Sequence, residues 1–187
     1  MNLRSKVLGP ELAGKLVKLK PRTAQDYASD FLNHFLNPNV TKYLGSNKVV
    51  PTMEDEISYL EDSARSENSI HWAILFEGNC VGSISIVSID WTLRHCEAGL
   101  FIGEPRLWRK GLSSDAAACV IEHIFEEYPM DFIRASYSQG NDGSESLLKS
   151  LAFEESGRLK NGLFAEGKMH DQVIMQLARK SWLNLLR

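Results

Sequence analysis

The residues best suited to chemistry stand in one short stretch, the turn and helix start at 108–118 (WRKGLSSDAAA). The turn follows a strand-like segment and carries Gly111 directly after two cations, Arg109 and Lys110. The first backbone N–H groups of a helix have no partner within the helix, and the helix dipole adds positive charge at the same end. This arrangement predicts a binding site for phosphate or pyrophosphate, and hence a phosphorylated cofactor.

The same turn has a simpler interpretation as an ordinary helix cap. Ser113, Ser114 and Asp115 are all favourable residues for the first turn of a helix. Composition alone favours the cap over the phosphate site. The choice between the two depends on the elements that hold the turn.

Length and composition limit the class of protein. The 187 residues are enough for one domain with a substantial core, and we expect a single domain over 1–187 with its core at about 15–178. The net charge of −3 argues against a broad basic surface for nucleic acid. No apolar run reaches the ~18 residues of a membrane span, and the N-terminus lacks the apolar core of a signal peptide. We therefore expect a soluble, cytoplasmic monomer or homodimer that binds neither nucleic acid nor membrane, with three reduced thiols at Cys80, Cys96 and Cys119.

Hydrophobic periodicity predicts the order of the elements. The predicted elements are a strand at 15–20, helices capped by Thr23 and Thr52, strands at 70–76, 80–89 and 95–102, a helix at 113–128, a strand at 132–137, a short helix at 144–151, and strands at 153–159 and 171–178. Residues 77–79 (EGN) predict a tight hairpin turn, and residues 38–51 are rich in turn formers. The order β-α-α-β-β-β-α-β-α-β-β predicts a mixed α/β sheet with helices on both faces.

That order, with WRKGLSSDAA at the third helix, resembles the GNAT superfamily of acetyl-CoA-dependent N-acetyltransferases. The superfamily's pyrophosphate loop has the form (Q/R)xxGx(G/A). Trp108 holds its first position, Gly111 the glycine position and Ser113 the last, while Arg109 stands where glycine is usual. The loop alone, with one glycine, is a weak signal.

A second motif narrows the resemblance to the ribosomal-protein N-terminal (RimJ/RimL-like) acetyltransferase branch. Residues 141–153 (NDGSESLLKSLAF) resemble the branch's NxxSxxLLxxLGF, with Ala152 in place of the usual glycine. The segment GKMHD at 167–171 resembles its closing strand. The resemblance covers about 15–178 and implies the GNAT fold, a mostly antiparallel central sheet of about seven strands with helices on both faces.

The resemblance also implies how the donor is bound. Acetyl-CoA would be the acyl donor, with no metal ion. Its pyrophosphate would bind the backbone N–H groups of Arg109, Lys110, Gly111, Leu112, Ser113 and Ser114. Its pantetheine arm would bind Asn141 and the backbone of Leu100, Phe101 and Ile102, in a strand that carries a bulge and splays from its neighbour.

An amine must lose a proton before it attacks a thioester, so a base is expected near the splayed strand. Glu97 stands where several members of the superfamily keep a carboxylate that draws the proton through water. Glu97 is equally compatible with a strand-edge carboxylate in solvent or in a salt bridge. His95 and His71 are rival bases, each more typical of a structural histidine.

The departing thiolate gains from a hydrogen-bond donor. Many superfamily members use a tyrosine on the fourth helix, but Leu148 occupies that position here. In the RimJ/RimL-like branch the serine of NxxS is the natural substitute, which assigns the role to Ser144. The alternative is an ordinary N-cap serine.

The acceptor site is the least visible part of the sequence. By position in the fold, residues 35–44 and about 160–170 would form its walls. Three aromatic residues could line it: Tyr43, Trp72 and Phe164. Such residues more often belong to a core. A run of acidic residues could attract a polycation, although such a run is more often a solvated helix face. Its members are Glu54, Asp55, Glu56, Glu61 and Asp62.

The sequence therefore predicts an acetyl-CoA:amine N-acetyltransferase that works by direct attack within a ternary complex. Its acceptor would be a protein N-terminal α-amine or a small amine. Two alternatives remain open: an acetyltransferase acting on an amino sugar, polyamine or antibiotic, and a sensor that binds acyl-CoA without turnover.

Overall fold

The computed structural model describes residues 9–44 and 51–186, which form one eight-stranded sheet flanked by helices. The strands are β1 (Leu12–Ala13), β2 (Lys18–Pro21), β3 (Ile70–Phe76), β4 (Asn79–Asp90), β5 (His95–Ile102), β6 (Phe132–Ser138), β7 (Glu154–Ala165) and β8 (Lys168–Ala178). The α-helices are α1 (Ala24–Phe35), α2 (Pro38–Thr41), α3 (Met53–Arg65), α4 (Leu112–Glu127), α5 (Asp142–Ser150) and α6 (Arg179–Leu185). A 3₁₀ turn at Pro105–Leu107 joins β5 to α4.

The sheet is antiparallel throughout except at its centre. Its strand order is β1-β2-β3-β4-β5-β6-β8-β7, and the pairing of β5 with β6 is parallel. The predicted mixed, mostly antiparallel α/β architecture is confirmed, with eight strands in place of about seven. The added strand is the two-residue β1, which is too short to leave a periodic pattern.

The first predicted strand, at 15–20, begins later than expected. Lys15, Leu16 and Val17 lie in the loop between β1 and β2, because their backbone N–H groups donate to the carboxylate of Asp115 in α4 at 2.7–3.0 Å. A side chain about 100 residues away thus replaces a strand partner, and alternation within the segment cannot reveal it.

The predicted helix starts are confirmed, because each depends on local hydrogen bonds. The hydroxyl of Thr23 accepts from the backbone N–H of Asp26. Thr52 and Asp55 form a complete capping box at the start of α3. In the turn-rich segment 38–51, residues 38–41 form the short helix α2, and residues 45–50 lie outside the described part of the chain.

Side chains alternate between two cores, one on each face of the sheet. The larger core lies under α4 and includes Trp72, Ile74, Ile86, Cys96 and Ile133. The smaller core lies under α1 and α3 and includes Phe31, Leu60, Ala73 and Cys80. Neither buried cysteine is in a disulfide, and burial raises the pKa of the Cys96 thiol to about 12, so that it stays protonated.

None of the helices in the described ranges combines the length and the apolar character that crossing a bilayer requires.

Candidate active site

The two central strands of the sheet separate from each other. β5 pairs with β6 only at 95–97, where Glu97 lies opposite Arg134, whereas β5 stays paired with β4 as far as Ile102. The rest of β6 pairs only with β8. Residues 98–102 therefore have backbone groups on one side that no strand partner satisfies. This separation leaves a wedge-shaped opening between β5 and β6, here called the central gap.

The expected bulge beside this gap lies on a different strand. Val87 pairs with Glu97 and Asp90 pairs with His95, so β4 has two residues where β5 has only Cys96. The extra residue is accompanied by a positive φ of 50° at Ser88. The prediction of a bulge in β5 itself is therefore wrong. The bulge belongs to β4, and it increases the local twist where β5 begins to leave β6.

The turn after β5 has the features that phosphate binding requires. Within the described part of the chain, the backbone N–H groups of 109–114 have no protein acceptor. They lie at the start of α4, a helix of 16 residues, whose dipole adds positive charge there. Lys110 is exposed beside them. The turn thus offers free donors and positive potential in one place.

Two residues in this turn hold the left-handed backbone conformation. Gly111 has φ 83° and Arg109 has φ 60°. Glycine adopts this region without steric cost, whereas arginine does so at roughly 1–2 kcal/mol. The presence of Arg109 where glycine is usual therefore keeps the backbone shape and adds a cation, at some cost in stability.

Two contacts fix the turn to the rest of the molecule. The indole N–H of Trp108 donates to the carbonyl oxygen of Ile102, at 2.9 Å, and so ties the turn to the last residue of β5. From the other side, the carboxylate of Asp115 accepts the three N–H groups of the 15–17 loop. A carboxylate in the first turn was visible in the sequence, but nothing in the sequence revealed its distant partners.

Asn141 and Ser144 lie at the start of α5, directly after β6. The Asn141 side-chain oxygen accepts from the backbone N–H of Ser144 at 3.2 Å, so Asn141 is the N-cap. Ser144 is the third helical residue, and its hydroxyl makes no hydrogen bond to any described residue. The alternative of Ser144 as an N-cap is therefore wrong, and its hydroxyl is available to a ligand.

Glu97 lies where the central gap begins. It is half-buried and makes no ion pair with any described residue. Cys96, Ala98, Leu100 and Ile102 face the α4 core, whereas Phe101 packs against α1. Since strand residues alternate, Glu97 and Gly99 share the α1 face with Phe101. The salt-bridge alternative for Glu97 is not seen.

Two contacts join the residues that directly follow α2 to other loops. The hydroxyl of Tyr43 donates to the carbonyl oxygen of Gly140 at 3.3 Å. The Lys42 ammonium pairs with the Glu166 carboxylate at 2.9 Å. The segment after α1 is thereby joined to the β6–α5 loop and the β7–β8 turn. These are the regions expected to form the walls of the acceptor site, and the role of Tyr43 in binding the acceptor stays a prediction.

Trp72, in contrast, is wrongly predicted as a substrate-binding residue. Its side chain is fully buried in the core under α4, and its indole N–H donates to the carbonyl oxygen of Pro10 at 2.8 Å. The alternation of β3 turns it away from the α1 face. Its neighbour His71 lies on the α1 face instead. His95, the other histidine considered as a base, stacks its ring on that of Phe132, with 5.1 Å between the ring centroids.

Two further features lie away from the gap. An open groove of about 1090 Å³ runs between α1, the β3–β4 turn and residues 103–107, and it does not include Glu97 or Ser144. In the acidic run of α3, Glu56 is buried, and burial raises the pKa of its carboxyl group.

Among the residues described, no group of three or more His, Cys, Asp or Glu side chains is placed to hold a metal ion.

The sequence agrees with this geometry. Residues 17–154 match the family of the acetyltransferase (GNAT) domain. The chain belongs to this family of acetyl-CoA-dependent N-acetyltransferases, so the fold class and the donor predicted from the sequence are confirmed. Acetyl-CoA is the acyl donor, and the central gap and the free N–H groups of 109–114 fit a ligand with an extended amide arm and a pyrophosphate.

Individual relatives add detail about similarity. The protein named "Putative ribosomal N-acetyltransferase YdaF" of Bacillus subtilis (strain 168) is 29% identical over 115 residues, 62% of each chain. The match thus spans less than two thirds of YdaF. RimL, named as a ribosomal L7/L12 alpha-N-protein acetyltransferase in complex with coenzyme A, has a TM-score of 0.82 at 12% identity, over 90% of this chain and 98% of RimL. Mycobacterium smegmatis RimJ in complex with CoA-disulfide has a TM-score of 0.80 at 21% identity, over 95% and 92%. At these identities the likeness of the structures shows the fold.

Proposed function

We propose that this protein transfers the acetyl group of acetyl-CoA to a primary amine, and that the acceptor is the α-amine of a protein N-terminus. One observation carries the proposal. The strand that leaves its neighbour, β5, ends in a turn whose N–H groups from 109 to 114 have no protein acceptor. One extended ligand can therefore pair with the edge of β5 that β6 leaves free, around Leu100, and place its phosphates at the turn, while the Ile102 carbonyl oxygen already accepts from Trp108.

The reaction is a direct attack in a ternary complex. Acetyl-CoA supplies the activated acyl group. The amine nitrogen forms a bond to the thioester carbon, the carbon–sulfur bond breaks, and its electron pair stays on sulfur, which is then protonated. Glu97 takes the proton from the amine through water, and its place at the start of the gap, without an ion pair, suits that role.

Ser144 and Asn141 have separate roles in this proposal. The Ser144 hydroxyl donates a hydrogen bond to the departing thiolate, which stabilises negative charge as it develops. The Asn141 oxygen is occupied by the α5 cap, so its side-chain NH₂ group is the part that reaches the pantetheine arm. Asn141 thereby positions Ser144 and binds the donor at once.

Two lines of support favour an α-amine acceptor. An α-amine has a pKa of about 8, so roughly a tenth is neutral at pH 7, whereas a lysine amine, at about 10.4, is neutral in under one molecule per thousand. The half-buried Glu97 need then remove a proton from only a weakly basic amine. The names of YdaF and RimL also refer to ribosomal acetylation.

Thiol release with a panel of amines tests the function. The panel contains peptides with free N-terminal Ala, Ser and Met, the same peptides with blocked N-termini and one lysine, spermidine and glucosamine. We expect the fastest release with a free N-terminus. Faster release with spermidine or glucosamine would identify a small molecule, and not a protein N-terminus, as the acceptor. Binding of acetyl-CoA without turnover of any amine would identify a sensor.

Replacing Ser144 with Ala should lower kcat by about 10-fold to 100-fold and change the Michaelis constant for acetyl-CoA little, since the lost hydrogen bond forms in the transition state. Steady-state kinetics with the best acceptor measure both constants. Ser146→Ala, at an exposed position of the same helix, is the matched control. A loss of thermal stability alone in Ser144→Ala would reduce Ser144 to a structural role.

Replacing Glu97 with Gln should weaken activity most at low pH. Without the base, only amine that is already neutral reacts, and the neutral fraction of an α-amine rises about tenfold per pH unit below a pKa of about 8. The kcat/KM of the variant should therefore approach that of the wild type as pH rises from 6 to 9. A profile parallel to the wild type at every pH would remove Glu97 as the base.

A further inference from the structure

A cluster of buried polar side chains lies on the α1 face of the sheet, beside the central gap. The Arg22 guanidinium donates to the Ser83 hydroxyl at 3.1 Å and lies 3.2 Å from Nδ1 of His71. The same Nδ1 lies 2.8 Å from the hydroxyl of Ser85. Arg22 is held between the rings of Phe31 and Tyr59, each 5.3 Å away.

The chemistry of these groups fixes their hydrogens. A guanidinium has donors but no acceptor, so Nδ1 of His71 must be the acceptor of the Arg22 contact and carries no hydrogen. The Ser85 hydroxyl therefore donates to Nδ1 as well. Burial, followed by the nearby charge of Arg22, lowers the pKa of His71 to about 4, so the imidazole is neutral at physiological pH. The hydroxyl hydrogen of Ser85 is thus used in the hydrogen bond to His71, and the lone pairs of the Ser85 oxygen point away from His71.

The lone pairs of Ser85 have an open space beside them. Ser85 pairs with Gly99 across β4 and β5, and His71 pairs with Ser85 across β3 and β4, so the three residues form one row on one face. Gly99 is exposed, and no atom lies within 4 Å of the point where a Cβ would stand. Ser85 is only half-buried, and its oxygen has no other partner among the described residues.

This space is at the right place for an amine. Gly99 follows Glu97 by two residues on the α1 face, at the start of the central gap. Ser85 is the diagonal neighbour of Glu97, at roughly 7 Å between backbones. A nitrogen above Gly99 can therefore lie at hydrogen-bond distance from the Ser85 oxygen, while the Glu97 carboxylate is reached through a water.

We propose that Ser85 is an acceptor-binding residue: its oxygen accepts a hydrogen bond from the substrate amine in the space above Gly99, and His71 is the positioning residue that holds the Ser85 hydrogen away. The proposal depends on the amine acetyltransferase function proposed above. An amine that donates one N–H to Ser85 and loses one proton toward Glu97 has its remaining lone pair free to attack the thioester. Because a hydroxyl without a free hydrogen can only accept, this arrangement selects a hydrogen-bond donor and rejects carbonyl or ether oxygens.

The experiment compares variants with the fastest acceptor of the amine panel. Ser85→Ala should raise the Michaelis constant for the amine by about fivefold to tenfold, the loss expected for one hydrogen bond, and leave the Kd of acetyl-CoA unchanged. Ser85→Thr, which retains the hydroxyl, should restore the wild-type constant. Gly99→Val, which fills the open space, should raise the amine constant still further without weakening acetyl-CoA.

The role of His71 has its own readout. His71→Ala frees the Ser85 hydrogen and should raise the amine constant, whereas His71→Asn, whose side-chain oxygen can stand in for Nδ1, should restore it. Ser83→Ala is the matched control, because Ser83 belongs to the same cluster but is buried and donates to the carbonyl oxygen of Trp72 at 3.1 Å. It should lower thermal stability and leave the amine constant unchanged.

The outcomes separate the two proposals. Turnover by the wild type with an unchanged amine constant in Ser85→Ala would overturn the role of Ser85 alone. Equal effects of Ser83→Ala and Ser85→Ala on stability, with none on the amine constant, would make the cluster structural. Wild-type protein that binds acetyl-CoA but acetylates no amine would overturn the proposed function and this assignment with it.

Discussion

Gly111→Glu should reduce the affinity for acetyl-CoA by more than about 100-fold. The substitution puts a carboxylate beside the free N–H groups of 109–114, where it repels phosphate and can itself occupy the donors. It also imposes the left-handed conformation, φ 83°, on a residue with a Cβ, at a cost of about 1–2 kcal/mol. Isothermal titration with acetyl-CoA measures the loss.

Two variants separate charge from strain in that experiment. Gly78 in the β3–β4 hairpin also has φ 83° and open surroundings, so Gly78→Glu carries the same strain and charge at a position outside residues 109–114. It should leave the affinity for acetyl-CoA unchanged. Gly111→Asn, a residue that tolerates the left-handed region, should retain most of the affinity. An unchanged affinity in Gly111→Glu would remove the phosphate site from 109–114.

Asp115→Ala should destabilise the protein by about 2–4 kcal/mol, because it leaves three backbone N–H groups without their charged acceptor. For a chain of this size that corresponds to a fall in Tm of roughly 4–16 °C. The same change frees the 15–17 loop from the start of α4. Since Leu16 lies within 3.4 Å of the Cβ position of Gly111, acetyl-CoA affinity should fall as well.

Thermal unfolding with and without acetyl-CoA measures both effects of Asp115→Ala. Asp131→Ala is the control, since Asp131 makes a single exposed ion pair with Arg94 at 2.6 Å, worth at most about 1 kcal/mol. Equal Tm values for the two variants would show that the three hydrogen bonds of Asp115 contribute no more than a surface pair.

The elements whose signals are local could be predicted from the sequence. Thr23 and Thr52 cap their helices as expected, since each cap depends on residues within three positions. The hairpin turn at 77–79 joins β3 to β4, and Glu77 and Gly78 have the positive φ values that a tight two-residue turn requires. The departures from the motifs also had a local meaning: Ala152, in place of glycine, holds φ 62°.

Side-chain direction was less predictable, because it depends on the register between distant strands. Trp72 and His71 are neighbours in one apolar strand, and nothing in their spacing tells which of them faces α4. A change of one residue in register exchanges the two faces of a strand. The prediction of Trp72 as a pocket residue was wrong for this reason.

By itself, the sequence determined the order of the elements, the helix caps, and a turn at 108–114 with unsatisfied donors, because these follow from contacts between near neighbours in the chain. Only the tertiary structure decided where β5 leaves β6, which backbone groups Asp115 binds, and that His71, Ser85 and Gly99 form one row. Those relations join residues 14 to 100 positions apart. They are set by how both faces of the sheet are packed at the same time, which no local pattern records.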